Sequence, residues 1–355
     1  MRTVELSGNY EALGHQYGAA LAAVGFSPQP LTPEKRSFVR ASRPAVKTHT
    51  PDLLCELDGL AAAGGWEPAP IAAIPIALGY EAGCSVVAVS GEHTVDGSPR
   101  FGRNYDCFTS FADFAELFRT DPADGLASVG CSDHWTGRQD GVNEVGLAVG
   151  HTFVPNDGPQ PGIMFGLATR WVLDNCRTVS EAVAFLERIP HARNTTFVMA
   201  DANGAVAIVE ASPERVRTRA PDDGIAVATN HFLSAEMRAY EPEDADRTNS
   251  ERRYEALTDW FETRDGPVDT AGLQRELADP EHGVCACGTE NGSASVESDP
   301  EASDSNESND GESDPNESDP VETLWSWTAA LEEPSTQLAA GRPDETPYES
   351  IDLSS

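Results

Sequence analysis

The sequence predicts an α+β protein, because helical and strand-like patterns fall in separate blocks. Helix-like spacing marks residues 7–24 and 51–63 near the start of the chain. From Cys84 onward short β-branched runs alternate with turns, and helical periodicity returns only in two later blocks.

Taken in order, SGNYEALGHQYGAALAAV (7–24) has helical spacing after a Ser-Gly opening, and PDLLCELDGLAAA (51–63) is a second helix with Pro51 near its start. An apolar stretch within 66–82 leads to Gly83-Cys84. SVVAVSG (85–91) then reads as a strand. A turn at Val95-Asp96-Gly97-Ser98 returns the chain into RFGRNYD (100–106), which makes a hairpin that starts at Cys84. Further strands are expected at 145–153, 195–200, 205–210 and 225–229, with a turn at Asp201-Ala202-Asn203-Gly204. Helices are expected at 166–176, at 180–189 with Ser180 as N-cap, and at about 250–263. Residues 289–320 are almost wholly Ser, Asp, Glu, Asn and Pro. Such a run cannot bury enough apolar surface to offset its ordering entropy, so it is expected to be a disordered acidic insertion. Strand-like alternation resumes at TLWSWTAAL, which places the insertion in a loop of a folded domain.

The 355 residues carry a net charge of −35, and Lys35 and Lys47 are the only lysines. A surface this acidic suits a salt-rich cytoplasm, where charge repulsion is screened over about 3 Å at 1 M salt. The plainer alternative is an ordinary acidic protein with an acidic tail. Nucleic acid is excluded as a partner, because a phosphate-binding surface needs a basic stripe that is missing here. The N-terminus has no signal-peptide core and no run is apolar enough to span a membrane, so a cytoplasmic protein is expected. The seven cysteines, odd in number and irregularly spaced, do not describe a disulfide framework.

Cys84 stands out by its surroundings. It follows a glycine and opens a strand, and the next strand brings Arg103, Asn104 and Asp106 close to it. A guanidinium there could lower the thiol pKa. A buried structural cysteine in a hairpin is the competing interpretation, and local features alone favour it.

The wider pattern is collinear over nearly the whole chain: SGNYEALGHQYG (7–18), GCSVVAV (83–89), DGSPRFGRNYD (96–106), DGVNEVGLAVG (140–150), FVMADANGAVAIVE (197–210), ATNHF (228–232), NSERRYEAL (249–257), HGVCACG (282–288), TLWSWTA (323–329) and AAGRPDETPY (339–348). In these segments the chain resembles the C45 peptidase-like family of N-terminal-nucleophile enzymes, the acyl-CoA:isopenicillin N acyltransferases and related linear-amide hydrolases. More distantly it is similar to the choloylglycine hydrolases. The resemblance implies a four-layer αββα sandwich with antiparallel sheets. It also implies self-cleavage between Gly83 and Cys84 into a helical fragment 1–83 and a catalytic fragment 84–355, which stay associated.

Residue by residue, the resemblance makes Cys84 the nucleophile and its freed α-amine the base. Arg103 and Asp106 match the arginine and aspartate of the following strand, Asn230 an oxyanion donor, and Arg253 a second arginine, with Arg252 one residue away. Asn143 is a weaker candidate, and a second oxyanion donor could lie near His151, Thr152 or Phe153. At 341–344 Gly-Arg-Pro-Asp stands where family members often have Gly-x-Pro-Cys.

The expected activity is attack on a linear amide through acyl-Cys84, with a small-molecule substrate and no cofactor. The alternatives are acyl transfer from a CoA-type thioester to an amine, or a noncatalytic salt-adapted binding protein that keeps the fold. A metal site at His282, Cys285 and Cys287 is set aside, because no second ligand pair is evident. His231 is read as packing in preference to a base, and Trp325 and Trp327 as core.

Overall fold

The structure is a computed structural model that describes residues 1–77, 83–133, 135–288 and 319–353. In chain order the elements begin with β1 (Arg2–Gly8), α1 (Tyr10–Ala23), α2 (Pro33–His49), α3 (Pro51–Gly64) and α4 (Pro68–Ala77). Then follow β2 (Cys84–Val89), β3 (Arg100–Phe108), β4 (Glu116–Pro122), β5 (Ser128–Ser132), β6 (Asp140–Asn143) and β7 (Ala148–Phe153). Next come α5 (Phe165–Asn175), α6 (Val179–Leu186), β8 (Thr195–Ala200), β9 (Val206–Ala211), β10 (Val216–Arg219) and β11 (Ile225–Ala228). The chain closes with α7 (Thr248–Thr263), α8 (Thr270–Leu277), β12 (Val321–Ala330), β13 (Ser335–Ala339) and β14 (Glu349–Ile351).

Among the described residues the strands form two sheets, ordered β1-β4-β5-β6-β7-β8-β9-β10 and β11-β2-β3-β12-β13-β14. Their inner faces share one apolar cluster. Val86, Phe101 and Trp325 of the second sheet meet Val129, Val142 and Val198 of the first. The outer face of the first sheet packs on helices α1 to α6, through residues such as Val149, Phe197, Leu57 and Leu167. The outer face of the second packs Val87, Val89 and Val227 against Leu257 of α7 and Leu273 and Leu277 of α8. Four layers result, α-β-β-α. Strands β2, β7 and β8 are buried along their whole length, as a strand covered on both faces must be.

The sheets are antiparallel with one exception. β1 pairs parallel with β4, Val4 opposite Phe118 and Leu6 opposite Thr120. This strand is unexpected, because no element is assigned from the sequence to residues 2–6 and a helix is expected from residue 7. α2 was also missed, for its buried residues are just Val39, Ser42 and Val46. α6 starts one residue earlier than expected and is capped by Thr178, whose hydroxyl accepts from the Glu181 amide at 3.3 Å; Ser180 is not the cap. Close approach of α1 to α3 requires glycine: a Cβ on Gly14 would lie 1.8 Å from the Glu56 carbonyl oxygen. The acidic run 289–318 lies outside the described residues. The chain on either side of it pairs, Gly288 donating to the Val321 carbonyl at 3.0 Å. Among the described residues no helix is long and apolar enough to cross a membrane.

Candidate active site

Cys84 is the first residue of β2, 2% exposed, and sits opposite Tyr105 of β3 in the antiparallel register. That register is what brings β3 side chains to it. Arg103, wholly buried, donates from Nη2 to the Cys84 sulfur at 3.2 Å. Its other ends are held by the Gln139 carbonyl and by Asp140, whose carboxylate lies 3.5 Å from Nε. Asp140 is fixed in turn by the Trp325 indole N–H at 2.9 Å and the Cys131 amide at 3.1 Å. Tyr105 stacks on Trp325 at 4.0 Å, and the Arg103 guanidinium lies 5.4 Å from the Tyr105 ring.

A second guanidinium covers the backbone side. Arg253 of α7 donates to the Cys84 carbonyl, to Ser85 Oγ at 2.9 Å and to Asn230 Oδ1 at 2.7 Å. Asn249, one helical turn earlier, orients it by accepting from Nε at 2.8 Å. Neighbouring Arg252 is exposed, so the contacts at the site are those of Arg253. The Asn230 amide oxygen also accepts from the Cys84 N–H at 2.8 Å, while its Nδ2 donates to the Phe153 carbonyl at 2.9 Å. Thr152 reaches the Thr229 carbonyl at 2.6 Å and Ser250 accepts from the Asn230 amide at 2.7 Å, so β7 and α7 hold the 229–230 turn from both sides.

Asp106 lies beside the peptide bond before Cys84. Its amide donates to the Gly83 carbonyl at 2.8 Å, and a Cβ at position 83 would come within 2.9 Å of its carboxylate. Glycine is the residue that leaves room for that carboxylate. Thr323 donates to Asp106 Oδ1 at 2.6 Å, and Arg253 stands 4.0 Å from Oδ2.

The electrostatics differ from the sequence-based expectation. Burial is the largest influence on Cys84 and pushes the thiol up; Arg103 opposes this, Asp106 reinforces it, and Arg253 opposes it more weakly. The arginine therefore offsets desolvation without overturning it, so the resting thiol keeps its proton and its removal calls for a base. The formal charges around the sulfur balance, Arg103 and Arg253 against Asp106 and Asp140. Moving a proton from sulfur to an adjacent amine would leave that balance unchanged.

The structure thus brings Cys84, Arg103, Asp106, Asn230 and Arg253 together. It does not bring the remaining candidates to the sulfur. Asn143 donates to the Leu173 and Cys176 carbonyls and accepts from the Leu147 amide, which ties α5 to the β6–β7 turn. His151 spans Gln139 Oε1 and Thr169 Oγ1 at 2.8 and 2.9 Å. The Phe153 carbonyl accepts from Asn230 Nδ2, so this segment positions the amide. Asp140, Gln139 and Ser85 were overlooked. Asp140 opens the DGVNEVGL segment, so its pattern was visible, but which sheet face it would reach was not.

No curated protein is significantly similar to the chain in sequence. Among solved structures, a variant of conjugated bile acid hydrolase from Clostridium perfringens is 14% identical with a TM-score of 0.49, covering 76% of this chain and 97% of that one. Penicillin V acylase from Agrobacterium tumefaciens is 17% identical with a TM-score of 0.44, over 72% and 82%. An N-acylethanolamine-hydrolyzing acid amidase ortholog from Caenorhabditis elegans is 13% identical with a TM-score of 0.46, over 76% and 100%. Residues 94–298 match the profile of the acyl-coenzyme A:6-aminopenicillanic acid acyl-transferases. The match spans more than half of the sequence, so the chain belongs to that family and is an enzyme.

Proposed function

We propose that the chain cuts itself between Gly83 and Cys84 and then cleaves a linear amide C–N bond through an acyl-Cys84 thioester. The observation that carries this reading is the setting of Cys84, whose sulfur faces a buried guanidinium while its backbone nitrogen faces the Asn230 amide.

Maturation would begin with the Cys84 thiol attacking the Gly83 carbonyl carbon. The Asp106 N–H, already on that carbonyl oxygen, would stabilise the oxyanion. Collapse breaks the C–N bond, leaves a thioester to Gly83 and frees the Cys84 amine; water then releases the Gly83 carboxyl group and the thiol. A free α-amine titrates near 7.7–8.0, so at neutral pH a useful fraction can take the proton of its own thiol. Asn230 Oδ1 is placed to accept from that amine. In turnover the thiolate attacks the substrate carbonyl carbon, Asn230 turns its N–H to the developing oxyanion, and the ammonium returns a proton to the leaving amine. Water completes a hydrolase cycle. Acyl transfer from a CoA-type thioester to an amine is the second reading, and the family match favours it.

After cleavage the fragments 1–83 and 84–355 would remain together. β1 lies in the first sheet beside β4, and Glu56 and Tyr10 reach Arg170 and Asp174 across the divide. The acidic, lysine-poor composition fits work in a salt-rich cytoplasm.

Intact-mass analysis in high salt tests the proposal. Wild type should appear as two fragments that meet at Gly83 and Cys84, and Cys84→Ala as one chain without activity. Acyl-Cys84 should form with amides if the enzyme is a hydrolase, and with CoA esters if it is a transferase. A wild-type chain that stays whole and shows no thiol-dependent activity would overturn it.

A further inference from the structure

A second group of reactive side chains lies where the acidic run leaves and re-enters the fold, and the reaction above does not use it. The chain before the run pairs with the chain after it: Gly288 donates to the Val321 carbonyl, and Thr323 to the Ala286 carbonyl, both at 3.0 Å. This short ladder presents Cys285 and Cys287 to the loop that carries Asp344. Cys285 donates to Asp344 Oδ1 at 3.3 Å, Cys287 Sγ lies 4.0 Å from Oδ2, and all three donor atoms fall within 4.8 Å of one another. Cys285 is buried, whereas Cys287 is partly exposed and gives access from solvent.

We infer that Cys285, Cys287 and Asp344 form a binding site for a thiophilic divalent cation of the zinc type, with its fourth position open to water. The donor set is what such an ion prefers: two sulfurs at about 2.3 Å and one oxygen at about 2.0–2.2 Å. Donors around a tetrahedral ion of that size are roughly 3.5–4 Å apart, so small side-chain rotations complete the site. The charge also favours a cation. Arg342 grips Asp344 Oδ2 at 2.7 Å but is shared with Glu345 at 3.3 Å and Glu322 at 3.9 Å, so two thiolates and three carboxylates face one guanidinium.

An ordinary thiol titrates at about 8.5 and so carries its proton at neutral pH. Binding forms two S–metal bonds and one O–metal bond and releases the two thiol protons to solvent, so affinity rises with pH. His282, the nearest candidate in sequence, takes no part; it is exposed and bonded to Asp279.

The site is joined to the nucleophile through the peptide between the two cysteines. Ala286 donates to Thr323 Oγ1 at 2.9 Å, and Thr323 donates to Asp106 at 2.6 Å. An ion that clamps Cys285 and Cys287 fixes Ala286, and so the hydroxyl that orients Asp106.

Cobalt(II) titration of the reduced, full-length protein tests this. One equivalent should bind with a thiolate-to-cobalt charge-transfer band and release about two protons, and zinc should displace it. Cys84→Ala should bind as wild type does, which separates the site from the nucleophile. Cys287→Ser, at a partly exposed position and with its fold checked by circular dichroism, should lose affinity by more than the roughly 10–100-fold that a supporting group costs. No charge-transfer band in the wild type, or an undiminished band in Cys287→Ser, would overturn the assignment.

Discussion

Two buried arginine–carboxylate clusters occupy different layers of the molecule, and they are built for different ends. At the end of the β2–β3 hairpin, Arg103 faces Asp140 between the sheets and Arg253 of α7 faces Asp106, but each arginine spends part of its fork on Cys84. Beneath the N-terminal helices, Arg170 is held by Asp174 through Nε at 2.9 Å and by Glu56 at 3.1 Å, and Tyr10 donates to Asp174 at 3.0 Å. Arg138 lies in the same layer, stacked 4.0 Å over the Phe118 ring and donating to Thr120 and to the Trp135 and Gly137 carbonyls. Both clusters are charge-balanced. The second joins carboxylates to cations across the proposed Gly83–Cys84 cleavage point, whereas the first gathers its groups around one titratable sulfur. Burying charge is costly in either place, and breaking a buried pair costs more than the pair contributed. The partner left behind should show which cluster serves binding of the fragments and which serves chemistry.

Arg170→Ala breaks this comparison most severely. It strands Asp174 and Glu56 in an apolar layer, and the expected loss of stability is about 3–5 kcal/mol. Chemical unfolding of the Cys84→Ala chain measures this without cleavage. In the mature enzyme the same change should let fragments 1–83 and 84–355 separate on size exclusion. Asn230→Ala should do the reverse. Loss of one oxyanion donor lowers kcat about 10²–10³-fold, roughly 2.7–4 kcal/mol. The unfolding midpoint should move less than for Arg170→Ala, because Arg253 keeps Asn249, Ser85 and the Cys84 carbonyl as partners. If Asn230→Ala left kcat intact and cost stability instead, the division of labour between the clusters would be mistaken.

How much of this was legible in the sequence differs between the two clusters as well. The β2–β3 hairpin is announced by its β-branched residues and its turn, and period two then dictates that Arg103 and Tyr105 project to the same face. Asn230 and Arg253 came from the collinear family pattern alone, since nothing in their spacing places them near residue 84. The helical cluster was invisible. Glu56 and Arg170 are 114 residues apart, each in a helix whose pattern says which face is buried but not against what. β1 was hidden for a similar reason: its alternation is short, and its partner β4 lies more than a hundred residues on. Asp344 was noticed as a departure in Gly-Arg-Pro-Asp, but its contact with Cys285 depends on how two loops close.

The smallest expected effect concerns His231, adjacent to Asn230. Its ring nitrogen Nδ1 lies 2.8 Å from Ser250 Oγ, and the ring meets Tyr254 edge to face at 5.7 Å. Burial, followed by the nearby Arg238 and Arg253, pushes its pKa down to about 4. The sign follows from proton binding: between about 6.5 and 4 the unfolded histidine holds a proton that the folded one does not, so stability falls as pH drops through that window. At neutral pH the folded imidazole is uncharged and carries no proton that changes during turnover. The acid limb of kcat/KM should instead follow the Cys84 α-amine, near 7.7–8.0 in an unperturbed setting. His231→Gln should therefore leave the midpoint of that limb in place, while it flattens the loss of stability below pH 6.5. A limb that moved or vanished in His231→Gln would make the imidazole the base and reduce the α-amine to a hydrogen-bond donor.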